Sequence, residues 1–496
     1  MLLRLLLATL GGVALWASFP SLAVWASAPV GIALLVAATR EVRAAAGFLL
    51  GFVGGLVWFV PYVSWTGLHA GTLPWLALAV LQALFVGLFG LLVALSGRTA
   101  LIPLVPPLLW VAAEWARASV PFGGFPWGRI AYSQADSPLL HLASLGGPAL
   151  MGLAVALVGC LLLWTWDALR ARGSAWVVGA RVLVTCLVLV TPQLIPLATE
   201  GPTARLMAIQ GNAPQTGFDF NAQRRQILDN HGTVSQEAAE EIKAGRRPAP
   251  DLVVWPENAS DIDPFDNPDA GRVIDEATTA LDRPVLVGAV LGGARDELTN
   301  TAILWEPGVG ATDQRYDKRE LVPFGEYMPY RSFFRAITRQ VDLLERDFVP
   351  GHEAGLIDIG PIRAGLGICF EVAIDHVLRD VVDDGANLLV IQTNNAMFDF
   401  SGQAAQQLDI SRVRAVEFGR SVVHSSNVGI SALITPDGEA HQRTELFTPA
   451  IIEGELPLRT EQTVASRVGI ASDVVPTVLG ALVVGGVLLG SARRRV

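Results

Sequence analysis

Cysteine is scarce in this sequence. Three occur in 496 residues, and Cys160 and Cys186 lie inside apolar runs, so no disulfide framework is available. The seven histidines are scattered, with no paired ligand spacing and no HExxH, and neither a metal nor a cofactor is expected. Charge is sparse as well. Only 17% of the residues are charged, 51% are hydrophobic and the mean hydropathy is +0.44, too apolar for an ordinary water-soluble protein. With 36 basic against 46 acidic residues and a net charge of −10, nucleic acid is excluded as a partner. Lysine is nearly absent, since only Lys243 and Lys318 among the basic residues are not arginine.

The abundance is in long apolar runs. A membrane span needs about 20 mostly apolar residues. Runs at 5–20, 22–39, 44–65, 72–95, 100–118, 139–166, 175–198 and 474–489 qualify or come close. The first two read either as one hairpin or as a signal peptide followed by a span. Arg40 and Arg43, Arg98, Arg170 and Arg172, and the 493–495 arginine tail fall at alternate ends of successive spans. Positive charge marks the cytoplasmic side. The expected organisation is therefore a membrane domain of seven spans over 1–199, an extracytoplasmic globular domain over 200–467, and a final span with a basic cytoplasmic tail over 468–496. Glu114, Arg117 and Arg129 are the exception, on the outer side around residues 121–134. That stretch reads either as an interfacial loop anchored by Trp and Tyr or as a re-entrant mouth where ionisable residues hold a polar group.

Within 200–467, strand-like runs (284–291, 386–395, 421–438) alternate with helical ones (223–244, 404–420), an α/β pattern. Several runs stop abruptly at a polar residue: LVVWPE at Glu257, GLGICFE at Cys369, and YDKRE with Lys318 just past a short segment. Open α/β sheets carry their chemistry at strand ends. A lone cysteine is usually an inert core residue. Near neutral pH a thiol needs a base or a cation to become a thiolate. Glu257 is a candidate base and Lys318 a candidate cation, able to hold the oxyanion formed when sulfur attacks a carbonyl, with the N–H of Phe370 as a second donor. Lys318 is either a survivor of the arginine bias or a point charge in a pocket too tight for guanidinium.

These residues carry a resemblance. Glu257 in VVWPENA, Lys318 in YDKRELVPFGEYMP and Cys369 in GICFE resemble the Glu-Lys-Cys triad of the nitrilase superfamily. With seven spans before the domain and one after, and with FPWGRIAYSQ, IQGNAPQ and RAVEFGRSVVHSSNVGIS in order, the chain resembles the apolipoprotein N-acyltransferase family, its membrane-embedded branch. The resemblance implies a multi-span α-helical membrane domain plus an α/β nitrilase-like domain, an α-β-β-α sandwich. It implies a bacterial multi-pass membrane enzyme with Cys369 as acyl-carrying nucleophile, Glu257 as general base and Lys318 as oxyanion holder. The acyl donor would be a phospholipid and the acceptor a diacylglyceryl apolipoprotein. Glu326 matches a second glutamate supporting the lysine, the alternative being a loop cap or surface ion pair. Glu371 matches another functional glutamate, or it belongs to the first turn of the next helix. Three positions depart from the family: Phe370 where tyrosine is common, Met397 where tryptophan is common, and Phe218 or Phe220 as a loose match to an aromatic. The run 327–350, with Phe333, Phe334, Ile337 and Phe348 among Arg331, Arg335 and Arg339, reads as a membrane-surface lid or as a covering helix. Two other functions fit parts of the chain: a membrane-tethered amidase using the same triad, and a non-catalytic lipoprotein-binding scaffold.

Overall fold

Glycine sets how closely the apolar helices meet. The computed structural model describes residues 1–97, 99, 102–213, 220–293, 297–344 and 346–493, so Arg98, Phe218, Arg494 and Arg495 lie outside the described residues. The chain divides into two units, Met1–Leu197 with Thr463–Val496, and Ala198–Gln462. In the first, helix Ala44–Tyr62 lies on helix Thr72–Leu95 with Gly47 against Gly90. A Cβ on Gly47 would sit 2.5 Å from the Gly90 carbonyl oxygen, and one on Gly90 2.3 Å from that of Gly47. Only the missing side chains permit this approach, the small-residue packing that holds helices together in lipid.

Among the described residues five helices are long and apolar enough to cross a membrane: Ala44–Tyr62, Thr72–Leu95, Pro138–Arg170, Ala175–Leu194 and Ala471–Gly490. Leu2–Ala17 and Ser27–Thr39 are shorter and apolar. They form a packed pair, and Arg4 of the first donates to the carbonyls of Ala38 (2.9 Å) and Arg40 (2.6 Å) at the end of the second. Helix Val105–Ser119 carries Glu114 and Arg117, both buried.

The stretch after that helix is exposed at 120–123 and then buried throughout from Pro126 to Ala135. Its ionisable residues hold the chain's own backbone. Glu114 Oε1 accepts the Ile130 N–H at 2.7 Å. Arg117 Nη1 donates to the carbonyls of Phe125 and Trp127, each at 2.7 Å, and to Gln82 Oε1 at 3.2 Å. Arg129 forms a buried ion pair with Asp473 at the start of the final helix. In hydrocarbon an unpaired backbone group costs several kcal/mol, on the order of a lost hydrogen bond in vacuum, which explains why charge is kept here.

The second unit is a sandwich of two six-stranded sheets. One has the order β12-β1-β2-β3-β4-β5 and the other β11-β10-β9-β8-β7-β6. The strands are β1 Thr203–Gln210, β2 Leu252–Val254, β3 Val285–Gly292, β4 Leu298–Glu306, β5 Gly310–Asp317, β6 Leu356–Ile359, β7 Ile362–Ile368, β8 Leu388–Thr393, β9 Ser421–Ser426, β10 Ala432–Ile434, β11 Ala440–His441 and β12 Ala450–Pro457. β1, β2 and β3 run parallel, as do β7, β8 and β9. Side chains alternate with the period of two that a strand imposes. Leu206, Leu252 and Val254 enter the core between the sheets with Leu366, Ile368 and Val390. Met207, Val253 and Trp255 point the other way, onto Leu228 and Ala238 of helix Phe220–Lys243 and Ile274 and Ala277 of helix Pro268–Leu281. On the far side, helices Asp375–Asp383 and Gln403–Phe418 complete the α-β-β-α layering that the family resemblance implies.

Each open end of the sandwich is bridged by one glutamine. Gln314 of β5 donates to the carbonyl of Asp358 on β6 (3.1 Å) and accepts its N–H (2.8 Å). Gln442, just past β11, does the same to Glu453 of β12, at 2.5 and 3.1 Å. A single amide thus reads both backbone groups of one residue on the facing sheet.

Candidate active site

Four strand ends converge on one cluster. Glu257 follows β2, Lys318 follows β5, Cys369 follows β7, and Asn394 follows β8. Asn300 reaches the same place from inside β4. Glu326 arrives on the loop after Lys318.

Lys318 is 1% exposed, and its Nζ lies 2.8 Å from Glu326 Oε1 and 3.6 Å from Glu257 Oε1. One amide group serves both carboxylates: Asn300 Nδ2 donates to Glu257 Oε1 at 2.7 Å and to Glu326 Oε1 at 3.2 Å. The Asn300 carbonyl also accepts the Lys318 N–H at 2.8 Å, so strand pairing fixes the two residues together. The remaining carboxylate oxygens take backbone donors, Asn394 N–H on Glu257 Oε2 and Val322 N–H on Glu326 Oε2, both at 2.7 Å. Glu326 is therefore neither a loop cap alone nor a surface ion pair, because it holds a buried ammonium and its own loop at once.

Glu371 is fully buried and lies within the turn Cys369–Ala373. Its Oε1 accepts the Tyr316 hydroxyl (2.8 Å) and the N–H groups of Arg319 (2.8 Å) and Glu320 (2.9 Å). Its Oε2 accepts the N–H of Ile368 at 2.7 Å. One carboxylate thus ties the chain just past Lys318 to the chain just before Cys369. Cys369 itself sits at φ +54°, a left-handed backbone that a non-glycine residue adopts only when its surroundings impose it. Phe370, the next residue, is buried and offers no hydroxyl, whereas Met397 is 61% exposed. Phe220 begins helix Phe220–Lys243.

The electrostatics follow from burial. Part of Cys369 still meets solvent, but the protein around it, with Glu257 adding to the effect, pushes the thiol up to about 12, against the pull of Lys318. Burial also lifts the Glu257 carboxyl above the usual carboxylate range, opposed by Lys318 and by the donors from Asn300 and Asn394. For Lys318 burial works against the ammonium, yet Glu326 and Glu257 outweigh it and hold the group charged well above the ordinary lysine range. Two carboxylates thus share one ammonium beside a protonated thiol, an arrangement suited to passing a proton between sulfur and carboxylate.

Two participants escaped the sequence reading. Asn300 is a polar residue in the middle of a buried strand, and that mismatch was its only signal. Gln407, on helix Gln403–Phe418, donates from Nε2 to the Cys369 sulfur at 3.8 Å. Segment 327–350 is no covering helix: helix Arg331–Ile337 buries none of its residues, and Phe333 and Ile337 are 62% and 60% exposed. Two of its arginines turn inward on the segment, Arg331 to Asp347 (2.5 Å) and to the carbonyls of Val341 and Leu344, and Arg335 to Asp342.

Comparison with known proteins agrees with this architecture. Residues 11–161 match the family model of the apolipoprotein N-acyltransferase N-terminal domain, and residues 206–466 match that of carbon-nitrogen hydrolase. Apolipoprotein N-acyltransferase from Mycolicibacterium smegmatis is 42% identical over 96% of this chain and 83% of its own length. That from Geobacter metallireducens is 31% identical over 94% of this chain and 91% of its own. Among solved structures, an amidase from Nesterenkonia sp. is similar at 17% identity and a TM-score of 0.39, over 53% of this chain and 94% of its own.

Proposed function

This chain belongs to the apolipoprotein N-acyltransferase family, and from that premise we propose that it moves a fatty acyl chain from a phospholipid to the α-amine of a diacylglyceryl-cysteine at the N-terminus of an apolipoprotein. The transfer runs in two steps through a thioester on Cys369. The observation that carries the reading is the meeting of Glu257 and Glu326 on the buried Lys318 ammonium beside Cys369.

In the first step the thiol proton passes to Glu257 as sulfur attacks the ester carbonyl of the phospholipid. The oxyanion that forms is stabilised by the Lys318 ammonium, which Glu326 and Asn300 hold in place. As the intermediate collapses, the C–O bond breaks and Glu257 returns the proton to the departing lysophospholipid oxygen. In the second step the acceptor, having lost one ammonium proton to solvent, attacks the thioester carbon. Lys318 again faces the oxyanion, the C–S bond breaks, and the second nitrogen proton travels through Glu257 to sulfur. Thioester to amide is downhill, so no nucleotide is needed. Positioning of a neutral thiol against a base also accounts for a sulfur whose own ionisation is suppressed: the proton leaves only as the carbonyl arrives.

Both substrates are anchored by acyl chains, which gives the apolar helices of the chain their purpose. We read the α/β unit as extracytoplasmic, from the arginines at alternate span ends, and 327–350 as a lid whose aromatic side meets the membrane surface. The decisive measurement is the intact mass of the purified chain after incubation with phospholipid. A fatty acyl adduct labile to hydroxylamine is expected on the wild type and not on Cys369→Ser. A wild type that stays unacylated sinks the proposal.

A further inference from the structure

The sulfur of Cys369 is faced by charged groups from three loops, Glu257, Lys318 and Glu326, by the Thr393 hydroxyl at the end of β8, and by one amide donor from a helix. We propose that this donor, Gln407, holds the sulfur of Cys369 in its attacking state, and that its amide is aimed by a relay of hydrogen bonds starting at the backbone N–H of Gly429. The inference rests on Cys369 being the acyl-carrying nucleophile.

Which end of a buried amide faces which neighbour follows from its partners, and here the chain of partners starts at a group with no choice. The Gly429 N–H is a donor only. It donates to Ser426 Oγ at 2.7 Å, and Ser426 in turn donates its own hydrogen to Asn395 Oδ1 at 2.6 Å. With its oxygen occupied by a donor, Asn395 turns its Nδ2 outward, to Gln407 Oε1 at 2.8 Å and Gln403 Oε1 at 2.7 Å. The Thr393 hydroxyl, whose one hydrogen is shared between the Cys369 sulfur and Gln407 Oε1, lies 2.8 Å from that oxygen. The oxygen end of Gln407 is therefore pinned, and its Nε2–H is left facing sulfur at 3.8 Å. Ser426 and Gln407 are fully buried and Asn395 is 2% exposed, so water does not scramble the order. Gly429 is required at the origin, because a Cβ there would come within 2.2 Å of Asn395 Oδ1 and 2.6 Å of Ser426 Oγ.

A donor on sulfur stabilises the thiolate more than the thiol. The long approach to sulfur keeps this one modest, roughly tenfold in thiolate population. The test is the rate at which iodoacetamide labels Cys369 in the full-length, detergent-solubilised protein, read by peptide mass as a function of pH. Gln407→Leu and Gln407→Met are expected to slow labelling about tenfold at every pH below the thiol midpoint, and Ser426→Ala to slow it by less. Loosened packing has the opposite sign, since it exposes the thiol and speeds labelling. Should Gln407→Leu melt far below the wild type, the better shape match of Gln407→Met decides. Labelling of Gln407→Met as fast as the wild type, or faster, overturns the proposal. Labelling needs no phospholipid, so a wild type that never forms a thioester would sink the acyl-transfer reading and leave a different mark from this one.

Discussion

Replacing Asn300 by leucine removes one amide from a site where that amide does two jobs. The side chains are close in size, so the packing of β4 is kept while both carboxylates lose a donor: Glu257 Oε1 loses the 2.7 Å bond and Glu326 Oε1 the 3.2 Å one. The shorter bond matters more. Donation to an ionised carboxylate is worth about 1.5–3 kcal/mol, so the ionised fraction of Glu257 on the acid side should fall about 10- to 100-fold. The direction follows from which form the donor favours: Glu257 is already raised by burial, and losing a donor to its charged form raises it further. A base must be ionised to take the thiol proton, so the acid limb of acylation should move to higher pH. At the alkaline plateau the loss should be smaller, because there the carboxylate is ionised in both proteins. The assay is quenched-flow intact mass, which follows thioester growth on Cys369 with excess phospholipid at a series of pH values. A uniform loss at all pH values would show that Asn300 only supports the fold. An unchanged limb and rate would show that the amide is idle, and either result refutes the reasoning.

Glu371→Gln keeps the shape but sets an amide N–H against one of four donors, most directly that of Ile368. An orphaned buried N–H costs about 1–3 kcal/mol, part of which is regained because the uncharged amide no longer has to be buried as an ion. A drop of a few degrees in melting temperature is expected, with a larger loss of acylation, since the turn at Cys369 and the chain at Lys318 lose their common tie; loss of stability alone would contradict this. In the other unit, Arg129→Leu or Asp473→Leu leaves a buried charge without its partner and should cost about 3–5 kcal/mol, seen as low yield of folded protein in mild detergent. The double variant should recover most of that yield, and a double no better than the singles would show that the pair is not the reason.

Position along the chain made much of this molecule readable. Glu257 and Cys369 each end a buried run, so the polarity jumps at one residue, and Lys318 stands out because nearly every other cation is arginine. The apolar runs announce helices, though the edges shift: the run from 100 to 118 becomes a helix starting at Val105, with Pro106 and Pro107 in its first turn. What could not be read depends on partners far along the chain. Asp473 meets Arg129 across 344 positions. Gln403 and Gln407 look like an exposed face of a charged helix, but every residue of Gln403–Phe418 except Ala405 and Asp409 is buried. Glu371 reads as the start of a helix until Tyr316, Arg319 and Glu320 are seen to close on it. A residue whose purpose is to orient another leaves no mark in composition, because its value lies in where its neighbour's hydrogens point.

The paired glutamine bridges at the two ends of the sandwich have a bearing on how this protein lives among copies of itself. Outer strands with idle main-chain groups invite another polypeptide to lie alongside them. At Asp358 and Glu453 both main-chain groups are already engaged by a side chain of the same molecule. A passing strand would have to break that engagement before it could pair with either residue.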